Sequence, residues 1–133
     1  MTENEISQVV VDCAFKVHKT LGAGLLESAY EECLFFELKK SGLIVEKQKG
    51  LPLVYESVKL DVGYRIDIII ENKFIIEIKS VEALNEVHLA QVLTYLKLSN
   101  CKFGLLINFN VKLIKDGMKR VINGKLEREL NEK

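Results

Sequence analysis

Hydrophobic residues follow a helical spacing in three parts of the chain. In residues 6–21 and 26–38 apolar side chains recur every three or four positions, which predicts a helical pair or one kinked helix. Glycines in residues 21–24 mark the break between the two patterns. A third helix is predicted over residues 85–98, with Asn85 as its candidate N-cap. The helices therefore lie on both sides of a central region with a different pattern.

The central region alternates between apolar and polar positions, which is typical of strands. Strand-like segments cover residues 43–49 and 51–60, and residues 64–80 predict a β-hairpin. Residues 102–109 are a nearly continuous apolar run, as expected for a buried central strand, and residues 111–122 predict a final hairpin. A strand that follows a helix, which itself follows a hairpin, indicates an α/β fold.

The 64–80 hairpin carries the most specific pattern. With a loop at residues 71–73, one face is wholly apolar and pairs Ile70 with Phe74, Ile68 with Ile76, and Ile66 with Ile78. The same register places Asp67 opposite Glu77 and Arg65 opposite Lys79 on the other face. A slip of one residue would turn the apolar set to the wrong side.

Length and composition restrict the class of protein. The 133 residues, 48% hydrophobic and 29% charged with one proline, are expected to form a single globular domain over residues 1–133. Residues 125–133 are expected to be helical or frayed. Lys plus Arg (19) equals Asp plus Glu (19), so nucleic-acid binding would need a local basic patch. Candidate basic residues are Lys47, Lys49, Lys112, Lys115, Lys119, Arg120 and Lys125.

The cysteines and the apolar segments indicate the compartment. Three cysteines without a close pair fit neither a disulfide framework nor a zinc ribbon, so we expect reduced thiols in the cytoplasm. The N-terminal residues lack the cationic and apolar regions of a secretory signal. The most apolar segment, residues 66–78, is interrupted by charges, so we expect no membrane partner.

Two carboxylates facing each other across neighbouring strands repel unless something compensates their charge. A divalent cation at Asp67 and Glu77 would do so, since Mg²⁺ takes one or two carboxylates together with water and phosphate oxygens. Lys79, on the same face, could activate a water or stabilise charge on a phosphate. The alternative is a solvent-facing strand side with ordinary charges.

These residues resemble a known pattern. Asp67 followed by Glu77-Ile78-Lys79 is similar to the motif of the PD-(D/E)XK nuclease superfamily, an acidic residue and then Glu/Asp-x-Lys on the next strand. The segment Gly24-Leu25-Leu26-Glu27-Ser28-Ala29-Tyr30 resembles the signature of the GxxExxY protein family, a prokaryotic branch of that superfamily. Further matches lie in residues 65–67, 91–96 and 104–109.

The resemblance implies a restriction-endonuclease-like core, with a mixed central β-sheet flanked by helices. It implies a nuclease that hydrolyses phosphodiester bonds in DNA or RNA with Mg²⁺ or Mn²⁺. In this interpretation Asp67 and Glu77 are metal ligands, Lys79 is the catalytic lysine, and Glu27 and Gln91 complete the site. Two other interpretations stay open: a non-catalytic accessory module that binds nucleic acid or protein, and a phosphoester enzyme acting on a small nucleotide. A near-neutral domain binds duplex weakly as a monomer, so a homodimer is a further expectation.

Several of these residues also have structural interpretations. Glu27 could simply favour the positive end of a helix dipole. Gln91 shares a helical face with His88 and Tyr95 that could be the wet side of the helix. His88 lacks a carboxylate to orient it, which favours a structural role, and Tyr30 is expected to pack in the core.

Overall fold

The structure, a computed structural model, describes residues 1–124. The helices are α1 (Glu3–Leu21), α2 (Glu27–Lys40) and α3 (Glu86–Ser99), and Ile114–Gly117 forms one 3₁₀ turn. The strands are β1 (Val45–Gly50), β2 (Leu53–Tyr55), β3 (Val58–Leu60), β4 (Arg65–Ile70), β5 (Phe74–Lys79), β6 (Phe103–Asn108) and β7 (Met118–Ile122). The prediction of a helical or frayed end over residues 125–133 lies outside the described residues.

Five strands form one mixed sheet in the order β1-β4-β5-β6-β7. Only β5 and β6 run parallel, because α3 carries the chain back across the sheet between them. Helices α1 and α2 cover one face in an apolar cluster with Ile68 and Ile76, and α3 covers the other with Ile69 and Ile75. The prediction of an α/β fold with a mixed sheet between helices is confirmed.

Two helix N-termini have a side-chain cap, and the sequence predicted one of them. Asn85 is the N-cap of α3, as predicted, and its side chain accepts a hydrogen bond from the His88 N–H. Helix α1 begins three residues before the apolar pattern does, because Thr2 and Glu5 form a reciprocal capping box. Caps of this kind satisfy N–H groups that have no partner inside the helix.

The predicted register of the β4–β5 hairpin is confirmed near the turn and wrong at the open end. The backbone ladder pairs Ile70 with Phe74, Ile69 with Ile75, and Ile68 with Ile76. It does not continue to Ile66, which packs on the α3 side of the sheet, and Arg65 pairs with Gly50 of β1. The face that was expected to be wholly apolar therefore ends at Ile68 on β4, whereas on β5 it continues to Ile78. The physical reason is that carboxylates take up backbone N–H groups beyond this point.

The predicted final hairpin is wrong in its first strand. Strand β7 pairs with the buried central strand β6, and residues 111–113 form a bend before the 3₁₀ turn. Ile114, the first residue of that turn, is buried in the apolar cluster with α1 and α2. Its apolar character therefore reflects packing and not strand pairing. Gly117 lies so close to Asn108 that a Cβ there would collide with its carbonyl oxygen.

The segment 51–60, predicted as strand-like, divides into β2 and β3. These form a separate two-stranded hairpin between β1 and β4, closed at its base by a hydrogen bond from Leu51 N–H to the Tyr64 carbonyl (2.9 Å). Val54, Tyr55 and Val58 are largely exposed. We call residues 51–64 the β2–β3 arm.

Within residues 1–124 no helix combines the length and the apolar character that a membrane crossing requires.

Candidate active site

Asp67 and Glu77 meet where the β4–β5 ladder ends. The Asp67 N–H donates to Glu77 Oε1 (3.0 Å), and the Ile78 N–H donates to Asp67 Oδ2 (2.8 Å). Each carboxylate thus satisfies a backbone donor on the neighbouring strand, where a regular ladder would use a carbonyl oxygen. The two side chains predicted to face each other are brought together, although by a different arrangement from a regular strand pair.

Glu77 is the most strongly perturbed carboxyl group of the site. Only 3% of the residue is exposed. Burial, and then the negative charge of Asp67, raise the pKa of Glu77 to about 9, while the Asp67 N–H and the ammonium of Lys79 oppose the shift. A buried acid beside a second acid, on a sheet of apolar residues, is costly unless a positive charge is added.

Lys79 lies at the end of β5, beyond Glu77 on the same strand. It is half-buried, and its backbone pairs with Asn108 of β6. The Asn108 side chain is buried and bonded to both N–H and C=O of Val81, which fixes the chain after β5. Among the described residues the Lys79 ammonium has no ion-pair partner. It is therefore held near Glu77 by the strand, with its charge free to act on a ligand.

Gln91 and Tyr95 lie one helical turn apart on α3, and Tyr95 is buried in the apolar cluster between α3 and the sheet. Gln91 Nε2 donates to the Tyr95 hydroxyl (3.0 Å). Burial raises the pKa of Tyr95, and the negative charges of Glu77 and Asp67 raise it further. Gln91 is thus linked to the site through Tyr95. His88 has a structural role instead, since its Nδ1 accepts from the Asn85 N–H in the helix cap.

Glu27 is exposed in the first turn of α2. Within residues 1–124 its side chain forms no hydrogen bond or ion pair, so no direct contact joins it to Asp67 or Glu77. The start of α2 is nevertheless anchored beside the end of β5, because Ser80 Oγ donates to the Leu25 carbonyl (2.6 Å). Glu27 follows Leu25 by two residues, so its backbone lies near the end of β5.

The loop before α2 is held by Tyr30. This residue is fully buried and stacks on Phe109 with ring centroids 4.6 Å apart. Its hydroxyl donates to the Gly22 carbonyl (2.6 Å) and accepts from the Leu25 N–H (3.1 Å). The predicted core position of Tyr30 is confirmed, and its hydroxyl shapes the turn that leads into α2.

Glu31 and Gln48 are contacts that the sequence pattern did not indicate. Gln48 Nε2 lies within hydrogen-bonding distance of Glu31 Oε1 (2.8 Å) and Asp67 Oδ1 (3.3 Å). Burial, followed by the charge of Asp67, raises the pKa of Glu31. A third carboxylate is thus joined to Asp67 through one amide. The only sequence signal was the spacing of Glu31 one helical turn after Glu27, on the same face of α2.

The donor set fits a hard divalent cation with few protein ligands. Within the described residues no three His, Cys, Asp or Glu side chains converge as a ligand group. Mg²⁺ commonly takes only one or two carboxylates and completes its shell with water and phosphate oxygens. Asp67 and Glu77 are such a pair, and a cation would offset the repulsion that raises the pKa of Glu77.

A family model of the PD-(D/E)XK nuclease superfamily matches residues 4–121. The chain belongs to this superfamily. Searches of the curated proteins and of the solved structures gave no significant match. The mixed sheet and the flanking helices agree with the restriction-endonuclease-like fold of the superfamily, whose nucleases generally use divalent metals such as Mg²⁺.

Proposed function

We propose that this protein is a Mg²⁺- or Mn²⁺-dependent nuclease that hydrolyses phosphodiester bonds in DNA or RNA. The observation that carries the proposal is the replacement of the β4–β5 ladder by Asp67 and Glu77, with Lys79 two residues beyond. A structural hairpin would gain nothing from two like charges where an apolar pair could continue the ladder. Superfamily membership supports the same chemistry.

In this proposal Asp67 and Glu77 hold the metal ion. The ion would polarise the scissile phosphate and lower the pKa of a bound water. The ammonium of Lys79 lies on the same strand as Glu77 and stabilises negative charge that develops on the phosphate oxygens. Tyr95, bonded to Gln91 and buried between α3 and the sheet, limits the access of bulk water in this proposal. Glu77 must release its proton when the metal binds.

We also propose that the chain is a member of the GxxExxY family. The glycine and the tyrosine of that signature both act on the loop before α2: Gly24 has φ +94° and its N–H donates to Asn110 Oδ1, and Tyr30 bonds to Gly22 and Leu25. The glutamate, Glu27, then stands in the first turn of α2, with its backbone near the end of β5. This placement supports a role for Glu27 toward metal-bound water or substrate.

The remaining expectations belong to the same proposal. The whole chain acts as one domain in the cytoplasm, which is consistent with three free cysteines. Its nucleic-acid partner contacts the basic residues predicted from the sequence, of which Lys112, Lys115, Lys119 and Arg120 are exposed. Homodimer formation, which sedimentation velocity measures, would double this charged surface.

Cleavage of labelled single-stranded, duplex and branched DNA and RNA tests the proposal. We expect cutting with Mn²⁺ that stops with a chelator and falls at least about 100-fold in Lys79→Ala. Lys73→Ala is the matched control, because Lys73 is also half-buried but lies at the turn end of the hairpin. It should cut like the wild type.

Cutting that survives in Lys79→Ala would refute the assigned role of this lysine. A wild-type protein that cuts none of the substrates at high concentration would refute the nuclease proposal. Binding to the same substrates without cutting would then favour a non-catalytic accessory module.

A further inference from the structure

A hollow of about 280 Å³ lies at the base of the β2–β3 arm, next to the start of β4. Leu51, Pro52, Asp61, Tyr64 and Arg65 line it. Its volume is near the lower end of the range for small-ligand pockets, about 300 Å³, which suits one ring system and not a larger ligand. Its chemistry combines flat apolar surfaces with one donor and one acceptor group.

The apolar part of the hollow can stack against a planar ligand. Tyr64 is 37% exposed, and one side of its ring packs against Tyr95 with centroids 5.8 Å apart. Pro52, also exposed, adds a second apolar surface. Aromatic side chains that are fixed on one side and open on the other are the stacking platforms of single-strand binding proteins.

The polar part of the hollow disfavours a phosphate and favours a base. Arg65 Nη1 donates to the Gln48 carbonyl (3.3 Å), and its other N–H groups are free to bond a ligand. Asp61 Oδ1 accepts from the Gly63 N–H (3.1 Å), which leaves the second carboxylate oxygen as an acceptor. A phosphate would be repelled by this carboxylate, whereas the edge of a nucleobase offers both donors and acceptors.

The hollow is joined to the candidate active site by two routes. Arg65 stands two residues before Asp67 on β4, a separation of about 7 Å along a strand. Tyr64 also contacts Tyr95 of α3, whose hydroxyl accepts a hydrogen bond from Gln91. A base in the hollow would therefore belong to a nucleotide near the phosphate held at the carboxylates.

We infer that the hollow binds an unpaired nucleobase of the substrate, stacked on Tyr64 and bonded by Arg65 and Asp61. This inference rests on the proposed nuclease function and narrows its substrate class to nucleic acid with unpaired nucleotides. A base inside a duplex is stacked on both faces, so it cannot enter the hollow without leaving the stack.

Fluorescence anisotropy with three labelled duplexes tests the inference, each made as DNA and as RNA. The first duplex is fully paired, the second has one unpaired adenine, and the third has an abasic residue in place of that adenine. We expect the wild type to bind the second at least about 5-fold more tightly than the other two, as expected for one stacked base. Tyr64→Ala should lose this preference and Tyr64→Phe should keep it. Tyr55→Ala, which removes an exposed aromatic ring at the end of β2, is the matched control and should also keep it.

Equal binding of the adenine and abasic duplexes by the wild type, or an unchanged preference in Tyr64→Ala, would overturn the inference. The same duplexes incubated with Mn²⁺ separate it from the nuclease proposal. Equal cleavage of all three would overturn the base-binding hollow and leave the nuclease standing. A Tyr64-dependent binding preference without any cleavage would support the hollow and overturn the nuclease.

Discussion

At the turn end of the β4–β5 hairpin, apolar side chains pair across an intact backbone ladder, whereas at the open end two carboxylates accept the N–H groups that the ladder would use. Ile75 and Ile76 are fully buried at the first end, and each packs in a different apolar cluster. Glu77, the next residue, is almost as buried but carries an acid. Two neighbouring residues of one strand thus have opposite effects on stability: burial of Ile76 stabilises the fold, and burial of Glu77 destabilises it.

This difference shows how the sheet keeps a destabilising pair of acids in place. Buried isoleucines stabilise the fold on both faces, and their rigid β-branched side chains favour the strand. The acid pair works against stability, since burial and repulsion raise the pKa of Glu77. The turn end therefore holds the open end in an arrangement that it would not adopt alone.

The largest expected effect comes from breaking the turn end. Ile76→Ala removes a fully buried side chain from the α1–α2 side of the sheet, so we expect the free energy of unfolding to fall by about 2–5 kcal/mol. Urea denaturation measures this loss. Asp67→Asn at the open end should change stability much less. An equal loss of unfolding free energy in Ile76→Ala and Asp67→Asn would contradict the difference between the two ends of the hairpin.

Glu77→Gln is expected to increase the stability of the metal-free protein, by less than Ile76→Ala decreases it. The folded pKa of Glu77 is about 9, and the ordinary value for glutamate is 4.5. Between these pH values the unfolded chain gives up a proton that the folded protein keeps, so the wild-type stability falls as pH rises. A glutamine avoids this loss, and we expect its melting temperature to exceed that of the wild type by about 3–5 °C at pH 8.

The same melting comparison at pH 4 should show little difference, because pH 4 lies below both pKa values and both states of the wild type then hold most of the proton. Glu27→Gln, at an exposed carboxylate, is the matched control and should melt like the wild type at both pH values. A wild type that is more stable than Glu77→Gln at pH 8 would contradict the perturbed carboxyl group.

The helices and the turn end of the hairpin were predictable because each repeats a regular spacing of apolar residues. The apolar spacing located all three helices, and the alternation located the hairpin and its turn at residues 71–73. The open end departs from the predicted register because the Asp67 and Glu77 carboxylates accept backbone N–H groups there. Gln48, opposite this region on β1, has a positive φ of 53°, a local irregularity that no hydrophobic period reveals.

The candidate site was predictable where its residues share one hairpin. Register and spacing predicted that Asp67 and Glu77 face each other with Lys79 two residues beyond, and the resemblance to the nuclease motif supplied their expected roles. The link from Glu31 through Gln48 to Asp67 joins three separate elements, so only the tertiary packing brings it together. Ile114 could not be placed from the sequence for a similar reason. It is buried as part of a 3₁₀ turn, and an apolar residue buried in a strand looks the same in the sequence.

Mn²⁺ binding most directly tests the central claim, that the open end of the hairpin exists to hold a divalent cation. Electron paramagnetic resonance of free Mn²⁺ measures it with a short single-stranded oligonucleotide present, which supplies phosphate oxygens. The account predicts saturable binding by the wild type, at least about 100-fold weaker in Asp67→Asn and about 10-fold weaker in Glu31→Gln. Glu56→Gln, at an exposed carboxylate in the turn between β2 and β3, should bind like the wild type. Equal Mn²⁺ affinity in the wild type and Asp67→Asn, or none in either, would contradict it.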